Sequence, residues 1–343
     1  MRDLPTFEIE EIKGIVQRAY GLQIKKIKPH RYIFKLETNL GTLFFKPFHL
    51  SEDILKLIVE VQSHLTEQGF NQFIPFIPTL QGCPYYKQGQ QLFYLTRWID
   101  CHPSNYNNPF ELRQVMELFG HFHKMARNFQ PINKMPQLLG RWPEIFQDRI
   151  NQLTESKMIA SNKNYSNIVD NFFLKKIDFY LEESHRALNL LAETDYHHLC
   201  QLARKISSFC HHDPAHHNVL ITPDNRAYLI DFDYIISDLH LHDLASIIIR
   251  NGKSSNWNMR RCEYILEAYQ QVKPITSQEL AVIHAFITFP YDFWFIINEY
   301  YILEKNWNPD RTFQELYKKT RYEDSRQQFL NKFYNNIEKM ALE

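Results

Sequence analysis

The stretch Cys210–Leu220 concentrates side chains that can do chemistry. It reads CHHDPAHHNVL, and four histidines and one aspartate fall within His211–His217. Neutral imidazole is the commonest metal ligand, so such a cluster favours a transition-metal site at first sight. The same loop carries Asp213 and then Asn218, a spacing at which a carboxylate can accept a hydroxyl proton while an amide oxygen holds Mg²⁺. At this point a metal site and a catalytic loop both stay open.

The residues after the loop predict a β-hairpin. An apolar run, Val219–Ile221, is followed by the turn residues TPDN at Thr222–Asn225 and by a second apolar run, Ala227–Tyr234. Asp231 lies in this second run, within LIDFDY. Its carboxylate is a hard oxygen donor of the kind that Mg²⁺ prefers.

The elements before the loop are predicted from changes in hydrophobic period. Residues 7–20 indicate a helix, and Tyr32 to Lys46 a hairpin that turns at Asn39–Gly41. Ser51 caps a further helix that ends at Gly69. Two more strands are expected at 82–86 and 91–98, and nearly everything from Pro109 onward is expected to be helical apart from the second hairpin. The fold class is therefore α+β, a small antiparallel sheet with one helix joined to a larger helical lobe.

Composition excludes some partners. The 343 residues hold 39 basic and 39 acidic side chains, so no global charge favours nucleic acid or an anionic membrane. No apolar run was expected to reach the roughly 20 residues that span a bilayer, and the acidic N-terminus is unlike a signal peptide. Five cysteines without a C-x-x-C pair favour reduced thiols over a disulfide framework. These patterns predict an intracellular protein.

The order of the elements resembles the protein-kinase-like fold. That resemblance implies a nucleotide-binding lobe at 1–98 and a helical lobe at 99–343 that carries the loop H-x-D-x-x-x-x-N. It implies Asp213 as the catalytic base, with Asn218 and Asp231 on Mg²⁺. Lys46, at the end of the third strand, would bind ATP phosphates, and Glu60 on the next helix would pair with Lys46.

Further motifs narrow the resemblance. Asp233 stands where protein kinases have the glycine of D-F-G, and SDLHLHDLASII is similar to the D-L-A helix start of the aminoglycoside phosphotransferase and choline kinase group. There Asp243 would brace the catalytic loop. The segment 117–129 resembles the helix after the hinge in the same group, and 286–307 resembles the C-terminal segment of the bacterial spore coat CotS-type family, which includes YutH-like and YsxE-like proteins. In this interpretation His211 orients Asp213, whereas His216 and His217 are rim residues.

Two features of the sequence bear on ligands. The segment KKIKPHRYIFKLETNLG lacks the Gly-rich loop that covers ATP phosphates in protein kinases, and Arg31 is a candidate for supplying charge there instead. Trp142, Trp294 and Trp307 are candidates for an aromatic cage around a cationic acceptor, with ordinary core packing as the alternative.

Two functions are compatible with these residues. The first is an ATP- and Mg²⁺-dependent phosphotransferase that acts on an unidentified small molecule. The second is a catalytically idle, kinase-like structural protein of the spore coat. Either would be located in the mother-cell cytoplasm or the spore coat, with nucleotide, a small-molecule acceptor and other coat proteins as partners.

Overall fold

The computed structural model describes residues 9–30, 33–305 and 308–341. The chain divides into two compact units, which are described separately. The first contains Met1–Ser104, Gln130–Met135 and His216–Ile235. The second contains Asn105–Phe129, Pro136–Ala215 and Ile236–Glu343.

The strands belong to the first unit. In chain order they are β1 (Ile24–His30), β2 (Ile33–Thr38), β3 (Gly41–Phe48), β4 (Phe76–Ile77), β5 (Tyr86–Gln88), β6 (Gln91–Arg97), β7 (His102–Pro103), β8 (Val219–Ile221) and β9 (Ala227–Leu229). One antiparallel sheet runs β1-β2-β3-β6-β4, with β5 also paired to β6, and a smaller one runs β7-β8-β9. The predicted hairpin that turns after Thr38 is confirmed as β2 and β3.

Two helices complete the first unit, α1 (Ile9–Tyr20) and α2 (Glu52–Glu67). α1 lays Ile12, Ile15 and Val16 on the apolar side of β2, β3 and β6, where all three are buried. The predicted cap of α2 is confirmed, because the Ser51 hydroxyl accepts from the amide of Ile54. These contacts fix the sheet that carries Lys46.

The strand predicted at 82–86 was wrong in its position. Gly82 adopts a left-handed backbone with φ of 77°, and its amide donates to the carbonyl of Thr79 at 2.9 Å. The chain therefore turns at Thr79–Gly82, residues 82–85 are bent, irregular chain, and the strand begins at Tyr86. Glycine permits this conformation at little cost, and the alternation of apolar residues could not reveal it.

The hairpin after the histidine-rich loop is confirmed, with a shorter second strand than expected. Val219 pairs with Leu229, and the amide of Asn225 closes the turn on the carbonyl of Thr222 at 2.8 Å. Pairing stops at Leu229. Asp231 then takes a left-handed backbone with φ of 66°, which ends the extended chain and leads into a single 3₁₀ turn, Phe232–Tyr234.

The second unit is helical. Its helices are α3 (Pro109–Met125), α4 (Trp142–Ser161), α5 (Ile168–Glu193), α6 (Tyr196–Lys205), α7 (Leu241–Ser254), α8 (Met259–Gln270), α9 (Ser277–Thr288), α10 (Tyr291–Ile297), α11 (Pro309–Thr320), α12 (Glu323–Asn335) and α13 (Ile337–Met340). Capping boxes start α5 at Asn167 and α9 at Thr276. A core of buried side chains from α4, α5 and α10 includes Leu153, Phe173 and Phe293.

One segment corrects the expectation about membrane spans. Residues Ser277–Ile302 are long and apolar enough to cross a membrane by length and composition. Most of this window is buried inside the helical unit, where Phe293 and Ile297 pack against α5. A core helix of a soluble protein passes the same test, so the finding carries little weight for a membrane location.

Candidate active site

Lys46 lies between two carboxylates of the first unit. Its Nζ is 2.9 Å from Oδ1 of Asp231 and 3.5 Å from Oδ2 of Asp233. β3 supplies the lysine, and pairing of Lys46 with Tyr94 on β6 fixes its register. The structure therefore joins a strand residue to a loop that follows 185 positions later in the chain.

The charges in this cluster depend on one another. Burial acts to lower the pKa of Lys46, but Tyr94, Asp233 and Asp231 outweigh it and hold the pKa well above its ordinary value. Burial raises the pKa of Asp233 to about 6, with Lys46 opposing the rise and Asp231 adding to it. Lys46 therefore keeps its positive charge, while Asp233 is the carboxylate that takes up a proton at a higher pH than an ordinary aspartate.

The backbone aims Asp231 at this cluster. A non-glycine residue at positive φ is uncommon, and aspartate is one of the few residue types that adopt it. The next residue, Phe232, is buried and packs edge-on against Phe73 with ring centroids 6.0 Å apart. Phe73 itself forms a bridge with Leu229 on β9. The aspartate therefore sits between a strand end and a buried ring, which limits its movement.

Asn218 lies at the same end of the hairpin as Asp231. Its carbonyl accepts from the amide of Ile230 at 2.9 Å, and the residue is buried just before β8 begins. The pairing of Val219 with Leu229 places Asn218 and Asp231 beside the last rung of the ladder, opposite the turn. An amide oxygen and two carboxylates are hard donors, and Mg²⁺ is commonly held by one or two carboxylates plus substrate phosphates. The residues present fit that ion.

The expected pair between Lys46 and Glu60 is not formed among the described residues. The Glu60 carboxylate accepts from the amides of Ile132 and Asn133, at 2.9 and 3.3 Å, and from the Asn133 side chain. Lys46 is already paired with the 231–233 loop, where Asp233 replaces a residue without charge. Glu60 instead fixes the segment 130–135 within the first unit.

Asp213, the predicted base, belongs to the second unit. Its Oδ1 is 2.9 Å from Nη2 of Arg250 on α7. The loop around it is tied down by the Tyr106 hydroxyl, which donates to the carbonyl of Pro214 at 3.0 Å. Both side chains of the ion pair are partly exposed, so a solvent molecule or ligand can reach them.

Asp243 braces the start of this loop, as the resemblance implied. Its fully buried carboxylate accepts from the amides of His211 and His212, each at 2.8 Å, and from Nε2 of His123 at 3.0 Å. Burial acts to raise the pKa of Asp243, but the hydrogen bond from His123 and the nearby His242 ring, 3.7 Å away, hold it well below its ordinary value. The result is a permanent anion that fixes the backbone two residues before Asp213.

The histidines of the loop make contacts other than those that a metal site would need. His212 stacks on His242 with centroids 3.9 Å apart, and His216 and His217 are exposed neighbours on the first unit. In the described part of the chain, the converging ligand atoms are those of Cys210, His242 and Asp243. The Asp243 oxygens of that trio already accept backbone hydrogen bonds. A metal held by His211, Asp213, His216 and His217 stays a prediction that elemental analysis would test.

The tryptophans do not form an open cage. Trp142 is buried, stacks on Tyr196 and donates from Nε1 to Asp238 at 2.9 Å. Trp294 contributes to an aromatic box with Phe289 and Tyr291, but the guanidinium of Arg149 already fills it, 4.3 Å from the Trp294 ring. Trp307 and Arg31 lie outside the described residues.

Sequence reasoning missed two residues of the site. Asp233 was noted only as a replacement for glycine, yet it contacts Lys46. Arg250 was not singled out at all, although it lies on the same helix as Asp243 and about two turns further on. The spacing of an aspartate at the helix start and an arginine two turns later could have indicated a shared face towards the loop.

Comparisons with known proteins agree on fold and family. Residues 13–333 match the family described as "Spore coat putative kinase YutH". Spore coat protein S of Bacillus subtilis (strain 168) is 24% identical over 313 residues, which cover 90% of this chain and 88% of that protein.

Solved structures with the same fold include two phosphotransferases. The crystal structure of an aminoglycoside phosphotransferase from Alicyclobacillus acidocaldarius superposes with a TM-score of 0.87 at 23% identity, covering 98% of both chains. A spectinomycin phosphotransferase in complex with ADP and spectinomycin gives a TM-score of 0.62 at 15% identity, covering 94% of this chain and 100% of that one. These likenesses show the kinase-like fold, with its antiparallel sheet and mostly helical remainder.

Proposed function

The chain belongs to the YutH family of kinase-like spore coat proteins, and from this premise we propose that it binds ATP with Mg²⁺ and phosphorylates a small molecule. Its relative is a spore coat protein, which supports a location in the mother cell or the coat. Other coat proteins are the partners that such a location favours. The related spectinomycin phosphotransferase binds ADP, which supports a nucleotide as the ligand of the first unit.

The contact of Lys46 with Asp231 carries this proposal. A lysine on β3 that lies 2.9 Å from the aspartate after β9 unites the two positions that hold phosphate and metal in kinase-like enzymes. Asn218 lies at the same end of the β8–β9 hairpin. One lysine faces two carboxylates here, so the cluster has an excess of negative charge that a bound cation would offset.

Each residue has a defined task in the proposed reaction. Lys46 binds the nucleotide phosphates, and Asn218 with Asp231 holds Mg²⁺, which neutralises charge on the phosphates. Asp213 accepts the proton of the acceptor hydroxyl as that oxygen bonds to the γ-phosphorus. The bond from the γ-phosphorus to the bridging oxygen breaks, and ADP leaves.

The second candidate is an idle structural protein of the coat. It is favoured by the ion pairs of Asp213 with Arg250 and of Lys46 with Asp231 and Asp233, since these groups neutralise one another without ligand. The absence of glycine from the sequence between β1 and β2 also favours it. Nucleotide binding separates the two candidates.

Thermal unfolding with and without MgATP tests the proposal. A ligand present at 100 times its dissociation constant stabilises the folded state by about 2.7 kcal/mol, which raises the melting temperature measurably. We expect this rise with ATP and Mg²⁺ together and a smaller one with ATP alone. No rise at millimolar MgATP would favour the structural protein.

Asp231→Asn refines that experiment. Asparagine tolerates the left-handed backbone at this position, so the folded state should persist. The variant should lose the Mg²⁺-dependent part of the stabilisation, because one carboxylate ligand is gone. Asp100→Asn, at an exposed aspartate of the same unit, should keep it. If the Asp231 variant is unfolded without ligand, the aspartate is structural and its assignment to the metal fails.

A further inference from the structure

A cleft of about 220 Å³ opens in the helical unit, apart from the residues assigned above. Its walls come from α7, from the junction of α9 and α10, and from α11 and α12. Aromatic side chains line its inner part: Trp257 and Phe289 are buried, and Tyr291 is exposed at its edge. Arg149 lies over the rings of Phe289 and Tyr291, and Arg326 lies over that of Trp257, so a small cyclic molecule in the cleft would pack beside these cation–π pairs.

The seat of Trp257 in this wall depends on a glycine. A Cβ on Gly252 would lie 2.7 Å from Cε3 of Trp257, so only glycine lets the indole reach its place. Trp257 itself has a left-handed backbone with φ of 57°. An uncommon backbone and a close approach together indicate that the indole is held in a fixed position.

The rim of the cleft is positively charged. Five cationic side chains line it against three carboxylates. Each carboxylate already has a partner: Asp292 pairs with Lys253 at 2.5 Å, Glu315 with Lys318 at 2.9 Å, and Glu323 with Lys176 at 2.6 Å.

Two cations of the rim form no ion pair among the described residues, although the charge of Lys319 helps to lower the pKa of Glu315 after that of Lys318. In the parts of the chain that the structure describes, no carboxylate oxygen lies within ion-pair distance of Lys319 or Arg321. The Arg321 guanidinium contacts the ring and the hydroxyl of Tyr322. Both side chains are exposed at the opening, which gives the cleft a net attraction for anions.

The cleft lies next to the partner of the predicted base. Ile249 and Lys253 line it, and Arg250, on the same helix, pairs with Asp213. Residues three and four apart on a helix are neighbours on one face. Burial raises the pKa of Tyr291 at the edge of the cleft, and the charges of Arg149 and, more weakly, Arg250 oppose this rise.

We propose that this cleft binds the acceptor and that the acceptor is a small, ring-bearing polyhydroxyl compound with an anionic group. The proposal rests on the proposed function, since it names the substrate class for Asp213. Lys319 and Arg321 bind the anion, and the aromatic wall contacts the ring. One hydroxyl of the ring loses its proton to Asp213 and gains the γ-phosphoryl group, and ADP is the leaving group.

Four compounds that share one ring skeleton test whether the cleft prefers an anionic ligand. Glucuronate and glucose 6-phosphate carry an anion of carboxylate or phosphate type, glucose is neutral, and glucosamine is cationic. Binding is measured by the change in intrinsic tryptophan fluorescence and by thermal unfolding, both without nucleotide. We expect the anionic pair to bind and the other two to bind at least tenfold more weakly. Absence of binding by both anions, or equal binding of glucosamine, would overturn the proposal.

Charge reversal locates the binding. The double variant Lys319→Glu/Arg321→Glu should lose anion affinity at least tenfold. The matched control Lys332→Glu/Lys339→Glu changes two exposed lysines of the same unit outside the cleft and should retain the affinity. Equal losses in both variants would mean a general effect of net charge and would contradict the assignment.

The outcome is separable from that of the proposed function. MgATP stabilisation is measured on the same samples. If MgATP stabilises the protein and no anion binds, the acceptor class is wrong while nucleotide binding stands. If the anions bind and MgATP has no effect, the cleft is an anion site and the phosphotransferase proposal fails.

Discussion

Asp213 is held by a cation before any substrate arrives, and this has a consequence for its chemistry. The Asp213 carboxylate pairs with Arg250 at 2.9 Å, so as a base it must turn an oxygen from the guanidinium towards the acceptor hydroxyl. An acceptor anion near α7 would compete for Arg250. The ion pair is thus compatible with a base that becomes fully available only with substrate bound.

Asp213→Asn should separate binding from turnover. Asparagine keeps the size of the side chain but cannot accept a proton, so phosphotransfer should fall ~10²- to 10⁴-fold while MgATP stabilisation persists. Transfer from radiolabelled ATP, to the acceptor or to water, measures the first effect, and thermal unfolding the second. Asp148→Asn, at an exposed aspartate of the same unit, is the control. Unchanged transfer in the Asp213 variant would remove it from the role of base.

His212 should make stability depend on acid pH. Burial and the neighbouring His242 lower its pKa to about 3, whereas an unfolded chain takes up this proton near the ordinary value of 6.5. The unfolded state therefore binds more protons below pH 6.5, and stability present above that pH is lost as pH falls towards 3. We expect this histidine to contribute on the order of 1–3 kcal/mol to the loss by about pH 4.

A matched pair of variants isolates that effect. His212→Asn keeps a residue type that tolerates the φ of 69° at this position and removes the titrating ring. Urea unfolding at neutral and acid pH should show a shallower loss of stability than in the parent protein. His185→Asn, at an exposed histidine, should leave the pH dependence as it is. Equal slopes in both variants would contradict the assignment.

At the residue scale, the sequence predicted which residues belong to the site better than it predicted which side chains they contact. The order of Lys46, Asp213, Asn218 and Asp231 was readable because each follows a recognisable element. The partner of Glu60 was not predictable, because its position on the helix limits only how far the carboxylate can extend, and several hydrogen-bond donors lie within that distance. The nucleotide and metal roles of these residues stay predictions.

At the scale of elements, two helical glycines allow a direct comparison. A Cβ on Gly120 of α3 would lie 2.8 Å from Cβ of Val272 and 3.3 Å from the carbonyl oxygen of Tyr269. Tyr269 lies in the last turn of α8, and Val272 follows that helix. A Cβ on Gly14 of α1 would meet only the flexible end of Arg18. The first glycine is required by close packing, whereas the second is not.

Gly120→Ala should therefore destabilise the fold by ~1–3 kcal/mol, because α3 and the α8 end must move apart. Gly14→Ala should be neutral or stabilise by up to ~1 kcal/mol, since alanine is the better helix former. Urea denaturation of both variants measures the difference. If the two changes have the same effect, the packing argument for Gly120 is wrong.

Element boundaries were predictable where a side chain marks them. Ser51 and the turn after Thr38 were read correctly, because capping and turn residues have local signatures. The irregular chain at 82–85 and the early end of β9 were not, because both depend on left-handed backbones at Gly82 and Asp231. Those conformations are selected by tertiary contacts.

At the scale of the whole chain, the fold was predictable from the order of strands and helices and from motif resemblance, and the comparisons confirm it. The boundary expected between residues 98 and 99 stays a prediction. A prediction that divides the chain at a single point could not show that residues 130–135 and 216–235 belong to the first compact unit. Such membership arises from long-range contacts, including that of Glu60 with Asn133.

A pair of lysine substitutions tests whether Ser277–Ile302 is a core segment. Ile297 is fully buried, whereas Phe295 is 39% exposed. In a soluble core, Ile297→Lys should cost ~4 kcal/mol or more, because the charge is buried without a partner, and Phe295→Lys should be tolerated. Yield of folded protein without detergent and urea denaturation check both. If the segment spanned a membrane, Phe295→Lys would also be destabilising, because its charge would then face lipid.

The location of this segment in the chain also bears on how the protein is made. Leu153, Phe173 and Tyr180, which pack in one cluster with Phe293 and Ile297, precede them in the sequence, whereas Leu316 on α11 follows. A ribosome therefore releases the part of the cover that α4 and α5 supply before it releases the segment that most resembles a membrane anchor. Newly made helices α4 and α5 can receive the segment as it emerges, so the direction of translation itself shields it from the secretory machinery and from aggregation.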